Sequence, residues 1–351
     1  MRRPTVAAAI DDGVAYLVAS QQPDGCWGTG TVTRGLEILS MVPGSHDGFR
    51  VATTALGAMA LREAIEAGST VPGAKEAHDH AVKYLVDHGT ARRDNGAILY
   101  NVWAHTFALQ ALCEEIRRSK QPDERLVSAA RAQLESLDRY ATHTGGWNYY
   151  DFQAQTQSPS LGPTSFGTAA GLVALWSARE AGLAPSPRLI DLSLHRLAEC
   201  RLPDGTYLYG SDYKYNPRLP ADMGRGSVGR IQPCNYALWL WGWPLGSESE
   251  CAAGLQRLFD DHAFIEMGRK RPWPHESWYQ TSGYYYYFDH YYAALILERL
   301  NPRDRSLFTP QLVETILPHQ EADGSWWDYA MWDYHKPYGT AFAVMTLLRC
   351  R

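Results

Sequence analysis

Gln320-Glu-Ala-Asp-Gly324-Ser-Trp326, near the end of the chain, reproduces the spacing of Gln21-Gln-Pro-Asp-Gly25-Cys-Trp27 near its start. Each stretch keeps a fixed count from an apolar residue, Ile316 or Leu17, with Gly at plus eight and an aromatic at plus ten. The same count relates Leu137, Gly145 and Trp147, and Leu197, Gly205 and Tyr207. Four copies of one loop, spread along the chain, mean that a single supersecondary unit has been repeated.

The segments on either side of these loops differ in kind. Ahead of them, Ile10, Val14 and Leu17, and again Ile190, Leu194 and Leu197, stand at i, i+4 and i+7. That is one buried stripe with a polar back. After them, 51–61, 166–176 and 338–348 are apolar or small nearly all round and should be buried on every side. The alternation predicts six helix pairs. Outer helices fall near 5–20, 75–88, 124–138, 186–200, 248–263 and 309–320. Inner helices fall near 49–64, 101–117, 164–180, 227–243, 284–300 and 337–349. The second unit has a longer loop, with Gly96 eleven residues after Leu85, and the fifth lacks the Gly-x-aromatic loop. Strand signals are weak. The last helix is as apolar as the middle ones, whereas an open solenoid would end in a polar cap. The expectation is all-α: one domain over 1–351, an (α/α)6 toroid whose outer ring meets solvent and whose inner ring surrounds a funnel.

Composition narrows the function. The chain has 351 residues, 45% hydrophobic and 20% charged, with net charge −5. Nothing there attracts nucleic acid in bulk. No apolar run approaches the roughly 18 residues of a membrane span. Asp11 and Asp12 interrupt the basic N-terminus before any long apolar core, so it does not read as a signal peptide. The six cysteines are scattered without a Cys-x-x-Cys pair, which favours reduced thiols and a cytoplasmic location. Neither a dinucleotide fingerprint nor a P-loop occurs, so no nucleotide cofactor is indicated.

The two Gln-x-x-x-Gly-x-Trp loops resemble the QW repeats of squalene–hopene and oxidosqualene cyclases, in a superfamily that includes the β subunits of protein prenyltransferases. The resemblance covers essentially the whole chain and implies the toroid. Two departures stand out. The Asp-x-Asp-Asp acid of squalene–hopene-type cyclases is absent, and the chain has room for one helical barrel where they carry two. Against the prenyltransferases, 225–236 loosely matches the stretch that bears a zinc-binding Asp-x-Cys. Gln232 stands in the Asp position, leaving Cys234 and His290 as the metal candidates the resemblance supplies. Two ligands do not make a zinc site, and no cofactor is assigned.

All six inner helices follow an outer helix in the same order, so their N-termini gather at one mouth of the funnel. Free N–H groups and positive dipole ends make that rim the place to look for a site. The fifth unit brings Tyr284–Tyr287, Asp289 and His290 to a helix start. An Asp among aromatics has a raised pKa and suits a proton donor. His290 would take the proton back or hold the carboxyl, and aromatic faces would stabilise a carbocation. Asp289 is the acid of choice, with Asp328 and Asp333 in reserve. Trp147, Tyr150, Asp151, Tyr207, Tyr284, Tyr287, Trp327 and Tyr334 are the expected wall of the substrate site. Arg225 and Arg230, ahead of the fourth inner helix, suit a diphosphate. The plainer reading is that the aromatics fill gaps between helices, the Asp residues cap helix starts and the arginines sit in a solvated loop. His105 reads as a core histidine.

Three functions compete. The first is a terpenoid-cyclase-like enzyme that cyclises or rearranges an isoprenoid after protonation. The second is a carbohydrate-active lyase or hydrolase, which would need an open groove and two nearby carboxyl groups. The third is a prenyltransferase-like enzyme or a non-catalytic binding toroid. The expected partner is a hydrophobic or isoprenoid small molecule and not nucleic acid, with a peripheral membrane contact and a second subunit left open.

Overall fold

The computed structural model describes residues 5–33, 43–90, 99–153, 156, 158–159, 162–212, 222, 224–271 and 281–351, side chains at 43 and 225 excepted. In chain order the helices are α1 (Val6–Ser20), α2 (Pro43–Glu66), α3 (Ala74–His88), α4 (Val102–Arg118), α5 (Glu124–Tyr140), α6 (Ser165–Glu180), α7 (Pro187–Glu199), α8 (Gly224–Ser227), α9 (Ile231–Leu240), α10 (Glu248–Asp260), α11 (His262–Gly268), α12 (Tyr286–Leu297), α13 (Pro302–Ile316) and α14 (His335–Arg349). Among the described residues β-structure is limited to isolated bridges, and no helix is long and apolar enough to cross a membrane.

Inner helices pack in a closed circuit: α2 on α4, α4 on α6, α6 on α9, α9 on α12, α12 on α14, and α14 back on α2. Each outer helix lies on the inner helix before it: α3 on α2, α5 on α4, α7 on α6, α10 on α9 and α13 on α12. For α1 the preceding inner helix is α14, and α1 packs there too. The repeat is therefore circular, and the chain forms an (α/α)6 toroid. The stripe of α1 is buried as expected, with Ile10, Val14 and Leu17 all fully covered.

Helix starts follow local chemistry. Thr5 caps α1 through the Ala8 N–H, Ser186 caps α7 through Leu189, and Asn301 caps α13 through Arg303 and Asp304. Pro302 at the first position explains why α13 begins seven residues earlier than expected. The fourth inner helix is not continuous. It runs as α8, a 3-10 turn over Val228–Arg230, and then α9. Pro233 is the reason: it lacks an N–H to give the Gly229 carbonyl, so it fits in the first turn of a new helix and not inside an old one. The short α11 was not expected.

The loop spacing has a direct cause. The indole Nε1 of Trp27, Trp147 and Trp326 donates to the carbonyl ten residues earlier, on Leu17, Leu137 and Ile316, at 2.8, 2.7 and 3.0 Å. Their backbone N–H groups donate to Thr54, Thr168 and Thr340 of the following inner helix at 3.1, 3.2 and 3.0 Å. Each Trp thus closes an outer helix and docks the next inner one. Gln21 reaches from its own loop to the Ala77 carbonyl of α3 at 2.8 Å. Gln320 does the same to Ala9 of α1 at 2.9 Å and so bridges the two ends of the chain. In the Tyr207 loop the phenol donates instead to Asn235 at 2.8 Å.

Gly145 shows why the loop needs glycine. Its φ is +89°, and a Cβ there would lie 2.4 Å from the Leu192 carbonyl carbon. Gly145→Ala is expected to lose on the order of 2 kcal/mol or more, read from the urea midpoint. Gly68 has the same φ with open space around it, so Gly68→Ala should cost only the backbone part, about 1 kcal/mol.

Candidate functional site

A cavity of 330 Å³ opens where the inner helices begin. That lies within the usual range of small-molecule sites, about 300–1,000 Å³. Its wall has two layers. The loops supply a collar of tyrosines: Tyr100, Tyr149, Tyr150, Tyr209, Tyr284 and Tyr329. The helices supply the floor, with Trp103 and Phe107 of α4, Phe166 of α6, Phe288 of α12 and Phe342 of α14. Phe107 meets Phe342 with centroids 5.9 Å apart, and Trp103 meets Phe288 at 5.7 Å. Of nineteen wall residues fourteen are aromatic, and among the described residues none is charged.

Among the described residues one acid, Asp328, accepts from a hydroxyl of this wall. Asp328 is fully buried and accepts from the Tyr338 hydroxyl. It also accepts from the Tyr329 N–H at 3.0 Å and the Tyr287 N–H at 3.4 Å. Tyr338 and Tyr329 are wall residues. Burial raises the Asp328 pKa to about 7, against the lowering effect of these hydrogen bonds. Near neutral pH the carboxyl therefore exists in both forms, one hydrogen bond behind the cavity.

Asp289 lies elsewhere. Its Oδ1 accepts from the Gln232 N–H at 3.2 Å, and its Oδ2 has no partner among the described residues. Burial raises its pKa well above the carboxylate range. It occupies the α9–α12 seam and is not on the wall. Asp333 accepts from Thr29 at 3.3 Å and joins the last loop to the first; its pKa is raised by burial.

Of the expected wall residues, Tyr150 and Tyr284 line the cavity. Trp147 and Tyr207 are the plus-ten aromatics, fully buried in the repeat loops. Asp151 accepts from Leu99 and Phe152 N–H groups at 2.9 and 2.8 Å and pins a turn. Tyr334 bonds His46 Nδ1 at 3.2 Å. Trp327 lies under Lys270, 4.5 Å from ring centroid to Nζ. Tyr287 is buried beside Asp328 without reaching the cavity. Arg230 is buried too, donating to the Gly226 and Tyr207 carbonyls at 2.8 and 3.0 Å and facing Asp222 at 3.6 Å. It stands behind the Tyr209 and Tyr285 rings, at 5.7 and 6.0 Å, and offers no cradle for a diphosphate. The Arg225 side chain falls outside the described residues. The floor aromatics were missed. Their one signal was the i, i+4 pairing of Trp103 with Phe107 and of Tyr338 with Phe342 inside apolar helices.

His290 faces away from the cavity. Its Nδ1 donates to the Tyr286 carbonyl at 2.6 Å, and its Nε2 meets His262 Nε2 of α11 at 3.1 Å. Burial pushes the His290 pKa down to about 3, helped by His262, and pushes His262 down to about 4. Above the ordinary histidine pKa both folded and unfolded chains are neutral here. As pH falls below about 6.5 only the unfolded chain takes up protons, so stability drops. Between pH 6.5 and pH 4 the loss should be on the order of 3 kcal/mol for each of the two histidines, with His262→Gln less acid-sensitive in melting temperature.

The metal candidates do not converge. Cys234 is buried in α9, and both nitrogens of His290 are engaged. Among the described residues no three His, Cys, Asp or Glu side chains form a metal-binding group. The residues present do not fit zinc. All six cysteines are buried and unpaired.

No family model matches the sequence, and no curated protein matches it. Solved structures do match the fold. A protein from Actinoplanes is 18% identical with 99% of each chain covered and a TM-score of 0.55. The type II terpene cyclase MstE from Scytonema is 15% identical over 98% of each chain, TM-score 0.56. A variant of MstE has been solved with its substrate, geranylgeranyl dihydroxybenzoate. The GH76A alpha-1,6-mannanase from Salegentibacter is 9% identical over 98% of each chain, TM-score 0.60. At these identities the likeness is one of fold, a toroid used by terpene cyclases and glycoside hydrolases alike.

Proposed function

We propose that this chain is a terpenoid-cyclase-like enzyme that acts on an isoprenoid in the aromatic cavity, by cyclisation or rearrangement begun by protonation. The observation that carries the reading is the wall itself: aromatic faces on all sides, no charge among the described residues, and one buried acid behind a wall hydroxyl. Such a wall suits a hydrocarbon, and ring faces stabilise a cation that water would quench.

Asp328, and not Asp289, is the acid in this proposal. When Asp328 is protonated, its O–H donates to Tyr338, and the Tyr338 hydrogen turns into the cavity. That hydrogen passes to a substrate double bond while Tyr338 takes the Asp328 proton. Asp328 is left as carboxylate and the substrate as a carbocation. Loss of a proton from the rearranged cation ends the reaction, so the product is an isomer of the substrate.

The carbohydrate reading is second. The tyrosine hydroxyls suit a sugar, but a glycosidase needs a pair of carboxyl groups flanking the bond, and the wall carries none among the described residues. Incubation with geranyl, farnesyl and geranylgeranyl compounds, and separately with mannan oligosaccharides, tests the choice. Mass spectrometry should find a product isomeric with a prenyl substrate. Cleaved mannan with untouched prenyl compounds would reverse the order.

A further inference from the structure

The two layers of the cavity differ in chemistry, and the difference reads on the head group of the ligand. This inference rests on the isoprenoid reading above. The floor is hydrocarbon: Phe107 and Phe342 lie one turn below Trp103 and Tyr338, about 6 Å deeper along their helices, with Leu56 of α2 beside them. The collar is phenolic. Tyr100 and Tyr149 stack at 4.8 Å, Tyr149 meets Tyr150 at 4.9 Å, and Tyr100 meets Tyr150 edge-on at 5.1 Å. Across the mouth Tyr284 meets Tyr329 at 4.5 Å. The Tyr209 hydroxyl donates to that of Tyr149 at 3.3 Å. These groups offer flat faces and neutral hydroxyls, and burial keeps Tyr100, Tyr150, Tyr209 and Tyr284 protonated by raising their pKa values.

A diphosphate needs the opposite surroundings, namely cations that replace its water. Among the described residues, the basic groups of this region are committed to other partners. Arg230 is behind the wall with two carbonyls and Asp222. Arg269 is bound to Glu266 at 2.6 Å, and Lys270 is paired with Glu321. We propose that the cavity takes a polyprenyl chain whose head is an uncharged, hydroxylated aromatic ring, with the ring in the tyrosine collar and the chain on the Phe floor. Prenyl diphosphates are then poor ligands.

Three probes with one geranylgeranyl chain test this: a geranylgeranyl hydroquinone, geranylgeraniol and geranylgeranyl diphosphate, titrated calorimetrically into the full chain. The hydroquinone should bind roughly tenfold or more tightly than the diphosphate, with little dependence on salt. The double substitution Tyr150→Phe, Tyr284→Phe should shrink its advantage over geranylgeraniol while leaving geranylgeraniol affinity within about threefold. Diphosphate binding as tightly as the hydroquinone would overturn the head-group assignment and leave the isoprenoid reading standing. An unchanged preference in the Tyr variant would likewise overturn the role of the collar. If none of the three binds, the isoprenoid reading itself fails and takes this inference with it.

Discussion

Asp328→Asn should lower kcat by about 10²–10⁴, the usual contribution of a positioned general acid, and leave the fold intact. The substitution keeps the shape and an acceptor for the Tyr329 N–H, but it removes the proton that would reach the cavity through Tyr338. Tyr338→Phe should fall by a comparable factor with KM little changed, because it cuts the same path at its second step. Wild-type activity should fall as pH rises through about 7, where Asp328 loses its proton. Stability provides the independent check. A carboxyl whose folded pKa lies above its unfolded value contributes stability below pH 3.8 that is lost as pH rises through 7. Between pH 4 and pH 8 the wild type should give up on the order of 4 kcal/mol that the Asn variant keeps. Lost activity together with better stability at pH 8 is the signature of a functional acid held in a costly place. Asp289→Asn is the control. Asp289 is off the cavity wall, and turnover should stay within about threefold. If Asp289→Asn is dead and Asp328→Asn active, the acid assignment is wrong.

The contrast between these two acids shows where sequence reading runs out. Both stand among aromatics just before or within the start of an inner helix, and both have raised pKa values. What separates them is the direction each side chain takes, into the α9–α12 seam or toward Tyr338, and spacing along the chain carries no trace of that. The toroid was legible for the opposite reason. The indole of Trp147 can reach the Leu137 carbonyl only when the count between them is right, so one hydrogen bond is written as a fixed interval. That success had a cost for the site. Trp147 and Tyr207 stood out as candidates because they belong to the repeat, and the repeat had already used them for folding. The floor stayed hidden because α4 and α14 are buried on both faces. An amphipathic contrast marks a face only when the other side meets water, so apart from their i, i+4 aromatic partners nothing distinguished Phe107 and Phe342, which face the cavity, from Leu109 and Met345, buried in the same helices. His290 was drawn toward the site by its neighbours in sequence, but its partner is His262 on α11, a helix without a counterpart in the other units.

Trp326→Ala should be the most damaging substitution outside the cavity, and the position of the damage should reveal the ring. The side chain is fully buried. It bonds the end of α13, its backbone docks on Thr340 of α14, and its ring touches Gly13 of α1, where an added Cβ would come within 2.8 Å. Truncating a buried Trp costs about 3–5 kcal/mol, a large share of the 5–15 kcal/mol typical of a folded domain. Trp147→Ala removes the same group from the same loop in the third unit and should cost about as much in urea. The two differ in what they release. Around Trp147 the neighbouring units are joined by the chain on both sides. At Trp326 the first and last units meet only through non-covalent contacts, among them this indole, the Gln320 bond to Ala9, the Thr29 bond to Asp333, the Arg349–Glu63 pair, and the packing of α1 and α2 on α14. A cavity there loosens the one joint without a covalent tie. Hydrogen exchange should therefore rise most in α1 and α14 in Trp326→Ala, two segments at opposite ends of the sequence. In Trp147→Ala the faster exchange should stay with α5, α6 and α7. Equal and purely local loosening in both variants would mean that the seam adds nothing to stability, and that the circuit of inner helices is closed in shape but not in energy.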